Sequence, residues 1–180
     1  MKVAILIGHR YNAQGAYSPH LDTTEYKWNR GIASKLTDVA DVYYRPDTIG
    51  VSEGARIAEV VKQINRKDYD LVISLHFNSH ENKDANGCEA LYYHKNKRME
   101  ALANEFNHLM NKRLGLRIRG AKPISSKRQN GGTFLLGCNA DAILLEPFFG
   151  SNQHDCYTIN GCENNYVDVI KELINLHSTL

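Results

Sequence analysis

Three short apolar runs, each stopping at a single polar group, constrain the fold of this chain more than any other feature. Val3 to Ile7 leads into Gly8 and His9, Leu71 to Leu75 into His76, and Ile143 to Leu145 into Glu146. Runs of this length and composition read as strands. If they pair in parallel within one sheet, their carboxyl ends lie along a single edge, which is where open α/β sheets bind ligands. Three distant segments of the chain would then meet at one place.

The remainder alternates strand-like and helical stretches, the pattern of an α/β sheet with covering helices. Strands are expected near residues 2–7, 40–45, 69–76, 87–93 and 141–146. Glu25 to Leu36 reads as a helix with Asp22 available as N-cap, and Ser52 can cap a second helix running to about Asn65. The inner face of that second helix carries Ile57, Val60, Val61 and Ile64. From Asn96 onward, Met99, Leu102, Phe106, Leu109, Met110 and Leu114 recur at helical spacing until Gly115 ends the pattern. These Met and Phe side chains read as core. A last helix from about Asn164 places Tyr166, Val169, Ile170, Leu173 and Ile174 on one side. Leu116 to Ala140 is rich in Gly, Lys, Arg and Ser and lacks clear periodicity, so it reads as a loop over a site or a short irregular strand. The expectation is a single α/β domain over residues 1–180, with a twisted, mostly parallel sheet of about five or six strands and helices on both faces. No repeat or linker marks a second domain.

A chain of 180 residues can bury a substantial core without staples. Its 22 Lys and Arg against 20 Asp and Glu give no general reason to expect nucleic acid or an anionic membrane as a partner. Basic residues do gather between Lys112 and Arg128, where a solvated turn region and a rim attracting an anionic polymer are both open readings. Four cysteines make no disulfide framework here, and Cys88 and Cys138, beside apolar runs, read as buried thiols. Cys156 and Cys162, with His154 nearby, are spaced more widely than the usual structural-zinc loop, so a second metal site is not expected. The apolar run at the N-terminus is too short for a signal peptide, and no stretch approaches the roughly 20 apolar residues that cross a bilayer. Synthesis in the cytoplasm without a signal peptide is therefore expected, with no integral membrane association.

Each polar strand end also has an ordinary explanation. A lone histidine at a strand end, such as His9 or His76, is commonly a hydrogen-bonded structural residue. Glu25 follows Asp22 by three residues, the spacing of a capping box, in which the carboxylate returns to the N-cap amide. Glu146 is the least ordinary, because a carboxylate between Leu145 and Pro147-Phe148-Phe149 sits in apolar surroundings and is costly there without a cation or hydrogen bonds. The ordinary explanations do not predict that these groups share an edge. With Glu25 opening the helix after the first run, the set becomes two imidazoles and two carboxylates, the outline of a hydrolytic zinc site with three protein ligands and one free base. His20, in the loop before Glu25, is a further residue able to approach it.

At this point the residues resemble the zinc-dependent N-acetylmuramoyl-L-alanine amidases of the Amidase_3 family, which include phage endolysin catalytic domains and bacterial cell-wall amidases. The Gly-His that ends the family's first strand is matched by Gly8-His9, and the Gly-Ala that precedes a metal-binding Glu by Gly15-Ala16 and Glu25. Ser74-Leu75-His76-Phe77-Asn78 matches the family's Ser-x-His-x-Asn, and Glu146, followed by Phe148, Asn152 and Asp155, matches its late Glu motif. Arg45-Pro46-Asp47 and Gly87 to Tyr93 are weaker echoes. Arg10 departs from the pattern, standing where many members carry another glycine, which bears on the loop and the substrate pocket.

The resemblance implies one Zn²⁺ ion held by His9, Glu25 and His76, with Glu146 as catalytic general base and then general acid. It implies peptidoglycan as substrate, cut at the amide between the lactyl group of N-acetylmuramic acid and L-alanine. Together with the missing signal it implies a phage endolysin that reaches the cell wall through holin-type release, a bacterial enzyme with another route being the alternative. No separate wall-binding domain is seen in the sequence, a second departure from the family that leaves the mode of targeting open. A zinc peptidase cutting within the stem peptide or cross-bridge and a non-enzymatic wall-binding module are the alternatives.

Overall fold

A computed structural model describes all 180 residues. Along the chain the elements are β1 (Val3–Ile7), β2 (Tyr17–Ser18), β3 (Thr23–Thr24), α1 (Glu25–Ser34), β4 (Asp41–Tyr43), α2 (Glu53–Ile64), β5 (Leu71–Leu75) and β6 (Cys88–Tyr93). They continue as α3 (Lys97–Leu114), β7 (Ile118–Ile124), α4 (Gly132–Leu135), β8 (Asp141–Glu146), α5 (Gln153–Ile159) and α6 (Glu163–His177). Six strands form the main sheet in the order β4-β1-β5-β8-β6-β7, with β6 antiparallel to β8 and every other pair parallel. The three apolar runs are its centre. Ile7 lies opposite Leu75 and Leu75 opposite Leu145, so the chain leaves all three strands at one level.

Both faces of the sheet are covered, which is why the central strands show no polar alternation. On one face Ile5, Ile73, Ile143 and their alternates pack on Trp28 and Ile32 of α1, Phe106 of α3 and Tyr166 and Ile170 of α6. On the other, Leu6, Val72 and Leu144 meet Val60, Val61 and Ile64 of α2 and Phe134 and Leu135 of α4. No helix is long and apolar enough to cross a membrane.

Most expected caps are present. Ser52 accepts from Ala55 N and Asn96 from Met99 N, while Gly115 closes α3 with a left-handed φ of 71°. Asp22 is not the cap of α1. The small hairpin of β2 and β3 carries the chain past it, and Thr24 caps the helix instead, its Oγ1 accepting from Lys27 N. Leu116 to Ala140 contains a full strand, β7, and the short α4. Its Gly120, Lys122 and Pro123 hide the strand from pattern reading because β7 is an edge, where charge and proline are tolerated.

Candidate metal centre

Beyond β1 the backbone turns sharply, and His9 itself adopts φ 64°, a left-handed conformation rare for a side chain of this size. Gly8 does not supply that turn. Its role is space, since a Cβ there would fall 2.5 Å from Leu75 O and 2.7 Å from the His76 ring. Without it the β1 and β5 ends could not approach closely enough to bring the two imidazoles together, their rings lying edge to face with centroids 5.5 Å apart.

Glu25 enters between them from the first residue of α1. Its Oε2 lies 2.9 Å from His9 Nε2 and its Oε1 2.8 Å from His76 Nδ1, and Phe77 N donates to Oε1 as well. The capping-box alternative therefore fails: the carboxylate points across the sheet edge and away from its own helix. Gly15 makes room for it, because a Cβ at that position would sit 2.6 Å from Glu25 Oε2 and 2.6 Å from the His9 ring. Burial alone would raise the Glu25 carboxyl, but the hydrogen bonds to His76 and His9 outweigh it and hold the group at about 2. Burial pushes the His76 imidazole down. An ionised carboxylate beside a neutral imidazole is the protonation state that metal ligands require.

The ligand atoms of His9, Glu25 and His76 all lie within 4.8 Å of one another, and no other cluster of His, Cys, Asp and Glu does this. Two imidazole nitrogens and a carboxylate in a recess kept open by Gly15 fit the donor set of catalytic zinc. Behind them Trp28, Phe77, Phe148 and Tyr166 form an aromatic base, with Trp28 and Phe148 centroids 4.9 Å apart. That packing fixes both α1, which carries Glu25, and the segment after His76.

Glu146 lies in the same cavity of about 490 Å³, together with His9, Glu25, His76, Asn78 and Arg45. Its Oε2 is buried without a hydrogen-bond partner, although part of the residue opens to the cavity. Burial, then the negative charges of Glu25 and Glu89, raises its carboxyl well above the ordinary range. Glu89 is its cross-strand neighbour on β6 and is itself occupied, accepting from Asn78 Nδ2 and Arg119 Nε. The cavity thus holds two carboxyl groups displaced in opposite directions.

Arg45 lines this cavity as well, and sequence reasoning assigned it no role. Its guanidinium is buried and its Nη2 lies 3.3 Å from His76 Nε2. The only signal in the sequence is its place in Arg45-Pro46-Asp47. Arg10 fills its position with two ion pairs, to Asp47 at 2.8 Å and Glu53 at 3.0 Å, tying the loop after β1 to the start of α2. Asn130 and Gly131 bring the segment before α4 to the cavity rim, so part of Leu116 to Ala140 does form a loop over the site.

Other sequence candidates fall elsewhere. His20 is not among the residues lining the cavity. His154 is exposed and Cys156 is buried with its Sγ 3.4 Å from Ser18 Oγ, so no second metal cluster forms around the late cysteines. All four thiols are free. Of the basic residues between Lys112 and Arg128, Arg113 pairs with Glu172 and Arg119 with Glu89. A larger cavity of about 600 Å³ opens at the opposite end of the sheet between Met1, Asp41, Lys67 and Tyr69. Lys67 and Tyr69 both meet Asp41 there, and the cavity holds no histidine or cysteine.

The sequence pattern of the Amidase_3 family, described as N-acetylmuramoyl-L-alanine amidase, matches residues 3–174. Among solved structures, the catalytic domain of the CD27L endolysin targeting Clostridia difficile is similar at 27% identity and a TM-score of 0.79, over 97% of this chain and 96% of that one. An N-acetylmuramoyl-L-alanine amidase from Clostridium difficile 630 shares the fold at 21% identity and a TM-score of 0.78, over 99% and 97% of the two chains. The CwlD amidase from Clostridioides difficile, solved with the GerS lipoprotein, shares it at 18% identity and a TM-score of 0.78, over 99% of each chain. A search of curated proteins finds no match. With nearly its whole length matched, this chain belongs to the Amidase_3 family of N-acetylmuramoyl-L-alanine amidases.

Proposed function

We propose that this protein hydrolyses the amide bond between the lactyl group of N-acetylmuramic acid and L-alanine in peptidoglycan, with one zinc ion held by His9, Glu25 and His76. The observation that carries the reading is the meeting of these three side chains with an unpartnered buried carboxyl, Glu146, in one cavity. Bound zinc supplies Lewis acidity toward the scissile carbonyl and makes water acidic enough to attack near neutral pH.

The protein's own groups supply the rest. Glu146 takes a proton from the attacking water and passes it to the departing alanine amine, and its raised carboxyl suits a group that must hold the proton between those events. Glu25 stays ionised and keeps the two imidazoles oriented. None of the four cysteines lines the cavity, and burial pushes Cys88 and Cys138 up to about 12. Residues 1–180 act as the catalytic unit, and the likeness to an endolysin catalytic domain supports a lytic role at the cell wall.

The test separates ligand from base. Glu146→Ala should keep stoichiometric zinc and lose turnover, whereas His9→Ala should lose the metal; a fully active Glu146→Ala protein overturns the mechanism. End-group analysis of digested walls identifies the bond: alanine amines beside intact lactyl carboxylates mean amidase. Any other new amine means a peptidase, and binding to walls without amine release means a non-enzymatic module.

A further inference from the structure

Arg45 is a buried cation without an anion of its own. Its side chain is only 8% exposed, and the nearest carboxylate, Glu53, stands 3.9 Å away. Glu53 is already engaged by Arg10 Nε at 3.0 Å and Arg56 Nη1 at 2.8 Å, so three guanidinium groups share one acid. The Arg45 Nε is buried with no partner at all, and the remaining close contact is a ring nitrogen of His76. Burying a charge this poorly matched is costly. A guanidinium in such a place is built to receive an oxygen anion, for which its planar fork is suited.

The position of the guanidinium narrows which anion. His76 stands between Arg45 and Glu25: Nδ1 of the ring faces Glu25 and Nε2 faces Arg45. The scissile carbonyl belongs on the Glu25 side, and the path from Glu25 Oε1 to Arg45 Nη2 runs 2.8 Å to Nδ1, across the ring, and a further 3.3 Å from Nε2. Peptide chain advances about 3.5 Å per residue, which makes that offset roughly two residues. Near the lactyl amide the sugar side of a muramoyl peptide is uncharged. On the peptide side, the residue after alanine is linked through its side chain and carries its α-carboxyl free or capped as an amide.

Resting on the amidase reading above, we propose that Arg45 binds the α-carboxylate of the second stem-peptide residue and makes the enzyme selective for walls in which that group is not amidated. The contact to His76 Nε2 at 3.3 Å keeps the guanidinium turned toward the cavity.

The test uses the full-length zinc protein and paired muramoyl tetrapeptides that differ only in having acid or amide at that position. Wild type should show kcat/KM about tenfold higher for the acid, as a charge-assisted contact predicts. Arg45→Gln should bring the ratio close to one while keeping stoichiometric zinc and releasing the same alanine amine. Equal wild-type rates on the two substrates overturn the proposal without any variant, as does an unchanged preference in Arg45→Gln. Should that variant fail to fold, Arg45→Lys decides: a ratio below wild type supports the contact, and an equal ratio overturns it. Wild type that releases no alanine amine from either substrate overturns the amidase reading itself, and this inference with it.

Discussion

Replacing Glu146 with leucine should yield a metal-free protein that is more stable than the wild type and inactive when zinc is restored. Glu146 Oε2 is buried and unpartnered, and a polar group left in that state costs about 1–3 kcal/mol. Leucine would join Leu91 and Leu144, which already line the cavity, and remove that cost. At about 2.1 cal/mol/K of unfolding entropy per residue, a chain of 180 residues has roughly 0.4 kcal/mol/K, so the melting temperature should rise by about 3–8 °C. Because part of Glu146 opens to the cavity, the lower end is expected. The gain must also depend on pH. Below the unfolded value near 4.5, both folded and unfolded wild type hold the proton. Above it the unfolded chain releases the proton while the folded chain keeps it, so wild-type stability falls until pH passes the raised folded value. The leucine variant lacks this slope, and its advantage should be larger at pH 7 than at pH 4. Thermal melts of chelated proteins at both pH values measure this, with wall-clearing assays after zinc is returned. A variant less stable than wild type at pH 7, or an advantage that does not grow with pH, refutes the assignment of Glu146 as an uncompensated buried acid.

Glu25 should behave in the opposite sense. Its carboxyl drops from an ordinary 4.5 to about 2 in the fold, which on linkage corresponds to about 3 kcal/mol of stability, present above pH 4.5 and lost as pH falls through 2. Acid titration of chelated Glu25→Gln should show a shallower loss across that window than wild type, and an unchanged acid limb contradicts the buried triad. Gly15→Ala should cost at least about tenfold in zinc affinity, because the new methyl would meet Glu25 and His9 at 2.6 Å on a backbone with φ 75°. The control is Gly31→Ala, inside α1 with open space around it, which should leave zinc binding untouched and stabilise the helix by about 0.5–1 kcal/mol. Equal zinc affinity of the two variants in isothermal titration would show that Gly15 does not shape the site.

What the sequence revealed and what it hid divide along a physical line. Strand ends are legible because a double-covered parallel strand is a near-continuous apolar run, so the residue where it stops is marked. His9, His76 and Glu146 stand out that way, and the register of β1, β5 and β8 brings them to one edge. Glu25 lies at a helix start, where an acid has an ordinary electrostatic reason to be, and only its reach toward His9 and His76 distinguishes it. Arg45 is hidden for a different reason. It sits two residues past the three-residue strand β4, too short to announce its end, and its importance comes from burial and from partners it lacks. Neither property is written in local pattern. Gly8 is legible as a residue but not in its purpose, because closeness of a neighbouring strand, not conformational freedom, requires glycine there.

The two carboxyl groups of the cavity show how one sheet edge produces two chemistries. Glu25 meets two imidazoles and accepts from the backbone amides of Phe77 and Ala16, and the imidazole contacts overcome the cost of burial. Glu146 accepts no hydrogen bond at Oε2, and the charges of Glu25 and Glu89 add to its burial. Pairs of like groups driven apart in this way mark the division between a fixed anion and a proton carrier. The division follows from where each group enters. A residue at the first turn of α1 approaches from outside the edge and can reach across to both histidines. A residue at the end of β8 is fixed by the strand and is flanked by Glu89 across the sheet. Exchanging their roles would require moving a strand. The group proposed to carry the proton is therefore also the one that destabilises the fold, which is where a trade of stability for activity is expected to fall.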